Sequence, residues 1–359
     1  MSRQANRLEW VDTAKGISIL LVVMMYAVFN VGQDAEGVGA LHYVIGFATP
    51  FRMPEFFLIS GLFLSQVIGR QFRAYADRRV VHYLYFYALW AVIHIVVKIG
   101  IASRDPGTAL EYLAWAVVEP YGVLWFIYLL AAFSLVTKLA YDFKAPAWAV
   151  FGAGAVLQMA SIHTGSYLVD QFCSYFVYFY AGYVFAPQLF RLVAEAQANT
   201  AVAAVGLVAY AAINASLVFS PGFAILPEHV QMGLAALPGV HLLLALAGSA
   251  ALCVFAGLIS GFRSVGWLRW LGEHSIVVYL VFVLPMSFTR IALGKIGLIQ
   301  DVTTLSVIVM VVSVLASVAL YFAVKWTGWG KFLFERPSWA HLPGTKGSRG
   351  YKAAQVPAE

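Results

Sequence analysis

Long apolar runs, nearly free of charge, recur along the whole of this chain and leave few folds open to it. A helix that crosses a bilayer needs about 20 mostly apolar residues. Ten segments read as such spans: 16–34, 43–67, 80–101, 121–139, 146–162, 170–188, 200–219, 236–260, 272–292 and 303–326. The fifth is short and rich in Ala and Gly. Segment 110–120, EYLAWAVVEPY, is apolar enough to lie in the interface or to re-enter rather than span. The expected fold class is all-α: a polytopic membrane protein of about ten transmembrane helices joined by mostly short loops.

Composition closes off the alternatives. Of the 359 residues, 62% are hydrophobic and 11% charged, with a mean hydropathy of +0.80. Soluble domains run at about 45–50% apolar and about 25% charged, and this chain has too little polar surface to cover a soluble core. A soluble enzyme, a nucleic-acid binder and a disordered protein are excluded. Cys173 and Cys253 both sit inside apolar stretches, which argues against a disulfide or a metal site. The first apolar run follows Arg3 and Arg7, outlasts a usual signal core and meets no small-x-small cleavage site, so it reads as a retained first helix.

The net charge of +6 is a matter of topology. With the N-terminus cytoplasmic, 18 of the 23 Lys and Arg residues fall on the inner side, among them Arg3, Arg7, Lys15, Arg70, Arg73, Arg78, Arg79 and Lys352. Arg52, Lys98, Arg104, Arg290 and Lys295 remain outside. That bias predicts both termini inside, with anionic lipid headgroups as partners. Residues 334–359, rich in Pro, Gly and charge, are expected to form a disordered cytoplasmic tail behind a membrane domain over 1–333. No internal repeat and no similarity between halves is evident.

Ionisable groups inside spans are expensive, so each needs a reason. Asp12 and Lys15 open the first helix, and Lys15, Ser18, Val22 and Tyr26 share one face of it at helical spacing. This is either a polar track entering the bundle or a lysine reaching headgroups with Asp12 supporting the helix start. In FRMPEFFLISG (51–61), Arg52 and Glu55 stand at i,i+3 with Ser60 near the same face. Pro54 is expected to loosen the helix there and free carbonyls for a ligand. The pair is either a structural ion pair or part of a site in which Glu55 serves as a base.

Arg70, Arg73, Arg78 and Arg79 could clamp phosphates of a nucleotide-like donor or simply anchor the loop at the membrane. Ser275, Tyr279 and Phe282 form another stripe, headed by His274. Trp125 is a candidate substrate wall. The histidines show no metal-ligand spacing, and no phosphate loop, GxSxG or HExxH occurs.

Taken in order, VDTAKGISILLVVMMY (11–26), FRMPEFFLISG, the basic loop ending at Arg78 and Arg79, LWF (124–126) and LGEHSIVVYLVF (271–282) resemble acyltransferase family 3. The resemblance covers roughly residues 8–330. It implies integral membrane enzymes of about ten spans that move an acyl group, commonly acetyl or succinyl, from cytoplasmic acyl-CoA to sugar hydroxyls. Asp12 and Lys15 fall on the acidic and basic positions that open the family's first helix. Met53, Pro54, Phe56, Phe57, Ser60 and Gly61 match its MPxFFxxSG-like block, Arg79 its basic loop position, and Gly272, Ser275 and Tyr279 its late GxxSxxxY.

The departures lie where proton transfer is expected. Tyr26 and Phe282 stand where the family usually carries histidine, and Glu55 and Arg52 replace a Leu and a His or Asn. A tyrosine with a pKa near 10 is a poor base at neutral pH. The resemblance therefore implies an O-acyltransferase in a bacterial-type cytoplasmic membrane, with Glu55 and Tyr26 as catalytic candidates. Asp12, Lys15, Arg52, Ser60, Arg73, Arg78, Arg79, Trp125, Ser275 and Tyr279 would bind substrate. Acyl-CoA is the expected co-substrate, a glycan or lipid-linked acceptor the second, and no bound cofactor, metal or nucleic acid is expected. The alternative is a catalytically silent relative acting as a subunit of a membrane complex or as a lipid or acyl binder. A transporter would call for coupled ionisable pairs, of which only Arg52 and Glu55 offer one.

Overall fold

The computed structural model of the chain describes residues 8–349. Expectations that rest on Arg3, Arg7, Lys352 and residues 350–359 lie outside the described residues. Helices follow one another almost without interruption: α1 (Glu9–Ala35), α2 (Ala40–Ala48), α3 (Arg52–Gly61), α4 (Phe72–Ala102) and α5 (Pro106–Trp115). Next come α6 (Gly122–Asp142), α7 (Ala147–Met159), α8 (Tyr167–Val184), α9 (Ala186–Ala198) and α10 (Thr200–Val218). The last are α11 (Pro238–Ile259), α12 (Gly266–Glu273), α13 (Ser275–Val281), α14 (Val283–Ile296) and α15 (Val302–Thr327). A two-stranded antiparallel ribbon, Ala224–Ile225 against Val230–Gln231, bridges α10 and α11.

The protein is an all-α, multi-pass membrane protein. Each of the ten apolar segments coincides with a helix or a helix pair. Ten straight spans are not what results. Among the described residues six helices, α1, α4, α6, α10, α11 and α15, are long and apolar enough to cross a membrane, and α13 with α14 makes a seventh if that bent pair counts as one. Segment 43–67 is split, because Thr49, Pro50 and Phe51 form a turn between α2 and α3. Helix α7 has only 13 residues. Segment 110–120 holds the end of the ten-residue α5 and a turn.

Two breaks shape the bundle, the turn at Thr49–Phe51 and a bend after α13. Pro54 does not open α3, contrary to the expectation from sequence. It sits in the first helical turn, where a backbone N–H has no intrahelical partner to lose. The second break, a 50° bend between α13 and α14, falls at Phe282. Pro285 cannot donate to the turn before it. The nearby Leu280 carbonyl is met by Nε2 of buried His94 on α4 at 2.9 Å.

Helix α1 is the hub, packed on α3, α11, α12, α13 and α15. Its approach to α12 depends on glycine: a Cβ at Gly272 would strike the Asp12 carbonyl oxygen. Helices α3 and α8 meet as closely, since a Cβ at Gly182 would strike the Leu58 carbonyl. The core between them is aromatic, with Phe57 and Phe133 fully buried and 5.1 Å apart, centroid to centroid. Helix α10 lies at the periphery and buries only Asn214 and Val218, its Asn214 amide donating to the Phe47 carbonyl at 2.8 Å.

Of the segment after residue 333, Arg336, His341 and Leu342 lie against α4. Buried Asp77 accepts from Arg336 Nη2 at 2.7 Å and from the Leu342 backbone N–H at 2.7 Å, with His341 Nδ1 3.1 Å away. Trp90 Nε1 donates to the Leu333 carbonyl at 3.1 Å. A carboxylate in the wall of a helix has to find donors somewhere, and Asp77 finds them on this strap.

Candidate functional site

The stripe on α1 runs past two cavities placed one after the other along the helix. The first, of about 160 Å³, is lined by Lys15 from α1, Ser60 from α3, Tyr83 from α4 and Ser275 and Tyr279 from α13. The second, of about 200 Å³, lies toward the C-terminal half of α1 and is lined by Tyr26, Arg52 and Trp125, together with Tyr167, Gln171 and Tyr175 from α8. Because the first lies nearer the N-terminus of α1, it is called the inner cavity and the second the outer.

The two cavities share Phe56, Phe126 and Tyr279. Phe56 and Phe126 stack with centroids 4.7 Å apart and planes within 10°, and Tyr279 meets the edge of Phe126 at 5.6 Å. The Tyr279 hydroxyl is held by the Val123 carbonyl, next to the turn that begins α6. Residues from α3, α6 and α13 thus form an aromatic partition. Face-to-face and edge-to-face contacts of this kind add to the burial of the rings themselves.

Of the residues singled out from the sequence, Lys15, Ser60 and Ser275 face the inner cavity, Tyr26, Arg52 and Trp125 the outer, and Tyr279 both. The rings of Tyr26 and Phe282 pack together, centroids 5.6 Å apart. Arg79 is half-buried and donates to the Tyr83 hydroxyl at 3.4 Å, which connects the basic loop to the inner cavity's lining. Arg73 and Arg78 are exposed and line neither cavity. Asp12 is buried in the α1–α12 contact outside both.

Arg52 and Glu55 do not form an ion pair. Three residues apart on α3, they go separate ways. Glu55 is fully buried, outside both cavity linings, where the Ser18 hydroxyl meets its Oε2 and Oε1 has no partner. Lys15 and Cys253 are close enough to act on it electrostatically. Arg52 turns into the outer cavity, where its Nε and Nη1 are buried without an acceptor. Ser60 returns its hydroxyl to the Phe56 carbonyl at 2.8 Å. His274 lies between the Trp270 carbonyl at 2.9 Å and the Tyr321 hydroxyl at 3.2 Å, a structural position.

Sequence reasoning missed the contribution of α8. Tyr167, Gln171 and Tyr175 stand at i, i+4 and i+8, the spacing of one helix face. That signal was present, but aromatic density in a membrane helix reads equally well as an interfacial belt. The stacking of Phe56 on Phe126 was missed for a different reason, since nothing in either segment alone shows that the two rings meet.

A family model described as an acyltransferase domain matches residues 8–322, nearly the whole helical bundle. Searches of curated proteins and of solved structures return no match.

Proposed function

Since the chain belongs to acyltransferase family 3, we propose that it moves an acyl group from cytoplasmic acyl-CoA to a hydroxyl of an envelope or secreted glycan. The reading places it in a bacterial-type cytoplasmic membrane, both termini inside. The observation that carries it is the pair of cavities in series along α1, one with a lysine and serines, the other walled by tyrosines and a tryptophan.

At about 160 Å³ the inner cavity has room for about five waters at ~30 Å³ each. A whole CoA does not fit. The thioester end enters, and the nucleotide stays outside among Arg70, Arg73 and Arg78, which suit its phosphates. The outer cavity takes the sugar, because ring faces such as Trp125 favour the C–H faces of a pyranose. Reaction needs the partition to yield, so that the sugar oxygen reaches the thioester carbonyl.

The new C–O bond forms as the C–S bond breaks, and the hydroxyl proton leaves as CoA thiolate departs to become the thiol. Tyr26 orients the attacking hydroxyl. The departing thiolate takes up that proton; Glu55, outside both cavity linings, does not reach the hydroxyl and acts on the site only through Lys15, which faces the inner cavity.

The test is reconstitution: the protein in sealed vesicles, labelled acyl-CoA on one side, glycan acceptor on the other. Label in the glycan supports the reading, and intact donor after prolonged incubation overturns it. The packing of Tyr26 on Phe282 favours a second reading, a silent relative that binds acyl chains or partners, since two touching rings occupy the usual imidazole positions. Donor binding without transfer, together with co-purification of a stoichiometric membrane partner, would establish that one instead.

A further inference from the structure

Arg52 is a buried cation in want of an anion. Its residue is 8% exposed, its Nε and Nη1 have no acceptor, and its side chain lines the outer cavity. The carboxylate nearest in sequence, Glu55, is turned away to Ser18. What surrounds the guanidinium is neutral: the hydroxyl-bearing rings of Tyr26 and Tyr175, the indole of Trp125 and the amide of Gln171. A buried charge and a buried donor left unsatisfied each cost free energy. A chain that keeps such an arginine beside a cavity gains when something negative enters it.

We propose that the outer cavity receives a carboxylate, with Arg52 as its counter-ion, so that the reaction involves an acidic group: a uronate-type sugar acceptor or the far end of a dicarboxylic acyl group. The inference rests on the transferase reading of this site and narrows its substrate class. Guanidinium donors lie in one plane and match the two oxygens of a carboxylate. At about 200 Å³ the cavity is smaller than drug-sized pockets of about 300–1,000 Å³, which restricts the occupant to a single small unit. Trp125 and Tyr175 supply the flat walls a sugar ring packs on, and Gln171 adds an amide for a hydroxyl.

Titration calorimetry on the full-length protein in detergent tests this without any transfer assay. The probes are glucuronate, methyl glucoside, succinate and inorganic phosphate. Glucuronate binding about tenfold or more tighter than methyl glucoside assigns the carboxylate to the sugar, and succinate outdoing both assigns it to the acyl group. In either case Arg52→Gln should erase the preference while the affinity for free CoA, which carries no acyl carboxylate, stays put as a folding control. Equal binding of glucuronate, succinate and methyl glucoside by the wild-type protein would overturn the proposal, as would binding of phosphate alone or an Arg52→Gln variant with the preference intact. The wild-type comparison needs no variant, so misfolding cannot hide the answer. Transfer to a neutral sugar without carboxylate preference would sink this inference and leave the transferase standing. Carboxylate binding with no transfer to any acceptor would do the reverse.

Discussion

Tyr26 on α1 and Phe282 at the bend between α13 and α14 pack ring against ring, 5.6 Å between centroids, beside a cavity that Tyr26 lines. The contact fixes the relation of the central helix to the bent pair. It also leaves the Tyr26 hydroxyl as the polar group of the two. Tyr26→Phe keeps the ring and removes only the hydroxyl. Transfer in vesicles should fall about tenfold or more with donor affinity unchanged, and an unaltered rate would remove Tyr26 from the proposed chemistry.

Glu55→Gln separates charge from shape. The amide can still meet Ser18, so the thermal midpoint should move little, whereas acyl transfer should drop by about tenfold if the carboxylate steadies the Lys15 charge at the inner cavity. A variant that transfers at the wild-type rate would show that Glu55 serves packing alone.

Phe126→Ala opens the partition, because Phe126 stacks on Phe56 and meets Tyr279. Losing a buried phenyl costs about 3–5 kcal/mol of stability. The more telling readout is the fate of the donor. Water admitted to the inner cavity should raise acyl-CoA hydrolysis relative to transfer, measured as free CoA per acylated acceptor, and an unchanged ratio would mean that these rings do not separate the two compartments.

The strap is held by a buried ion pair, with Arg336 and Asp77 side chains only 4% and 1% exposed. Removing Arg336 leaves the buried Asp77 carboxylate with only the Leu342 N–H and His341, so Arg336→Ala should destabilise by about 1.5–3 kcal/mol. Pairing it with Asp77→Asn should recover part of that loss. Thermal unfolding of the two variants in detergent measures the difference, and purely additive losses would show that the pair is not coupled.

Close helix approach makes a fifth site sensitive. Gly182→Ala places a methyl group against the Leu58 carbonyl and should lower stability by about 1–3 kcal/mol as α3 and α8 are pushed apart. Because Tyr167, Gln171 and Tyr175 ride on α8 and Arg52 on α3, acceptor affinity should weaken more than donor affinity. Equal weakening would place the damage elsewhere.

Helix positions were legible because apolarity and length act locally: all ten apolar segments hold helices. Their shapes were not. The turn at Thr49–Phe51 and the bend at Phe282 come from backbone geometry inside stretches long and apolar enough to read as single spans, and α8 carries Asp170, Gln171 and Ser174 within a membrane-like run. The stripes Lys15–Ser18–Val22–Tyr26 and Ser275–Tyr279–Phe282 could be read by counting turns. That Arg52 and Glu55 diverge could not, since i,i+3 spacing permits a pair without requiring one. Asp77 found its partners 259 and 264 residues away, a separation that no local pattern reveals.

The stacked phenyl rings between the cavities bear on the energetics of the cell as well as on the chemistry. An aqueous path from one face of a bilayer to the other would let protons and metal cations run down their gradients. Two lipophilic plates in the middle oppose that leak, since a bare ion would have to shed its hydration to slip between them. A bundle so plugged would keep the membrane voltage intact along its central helix.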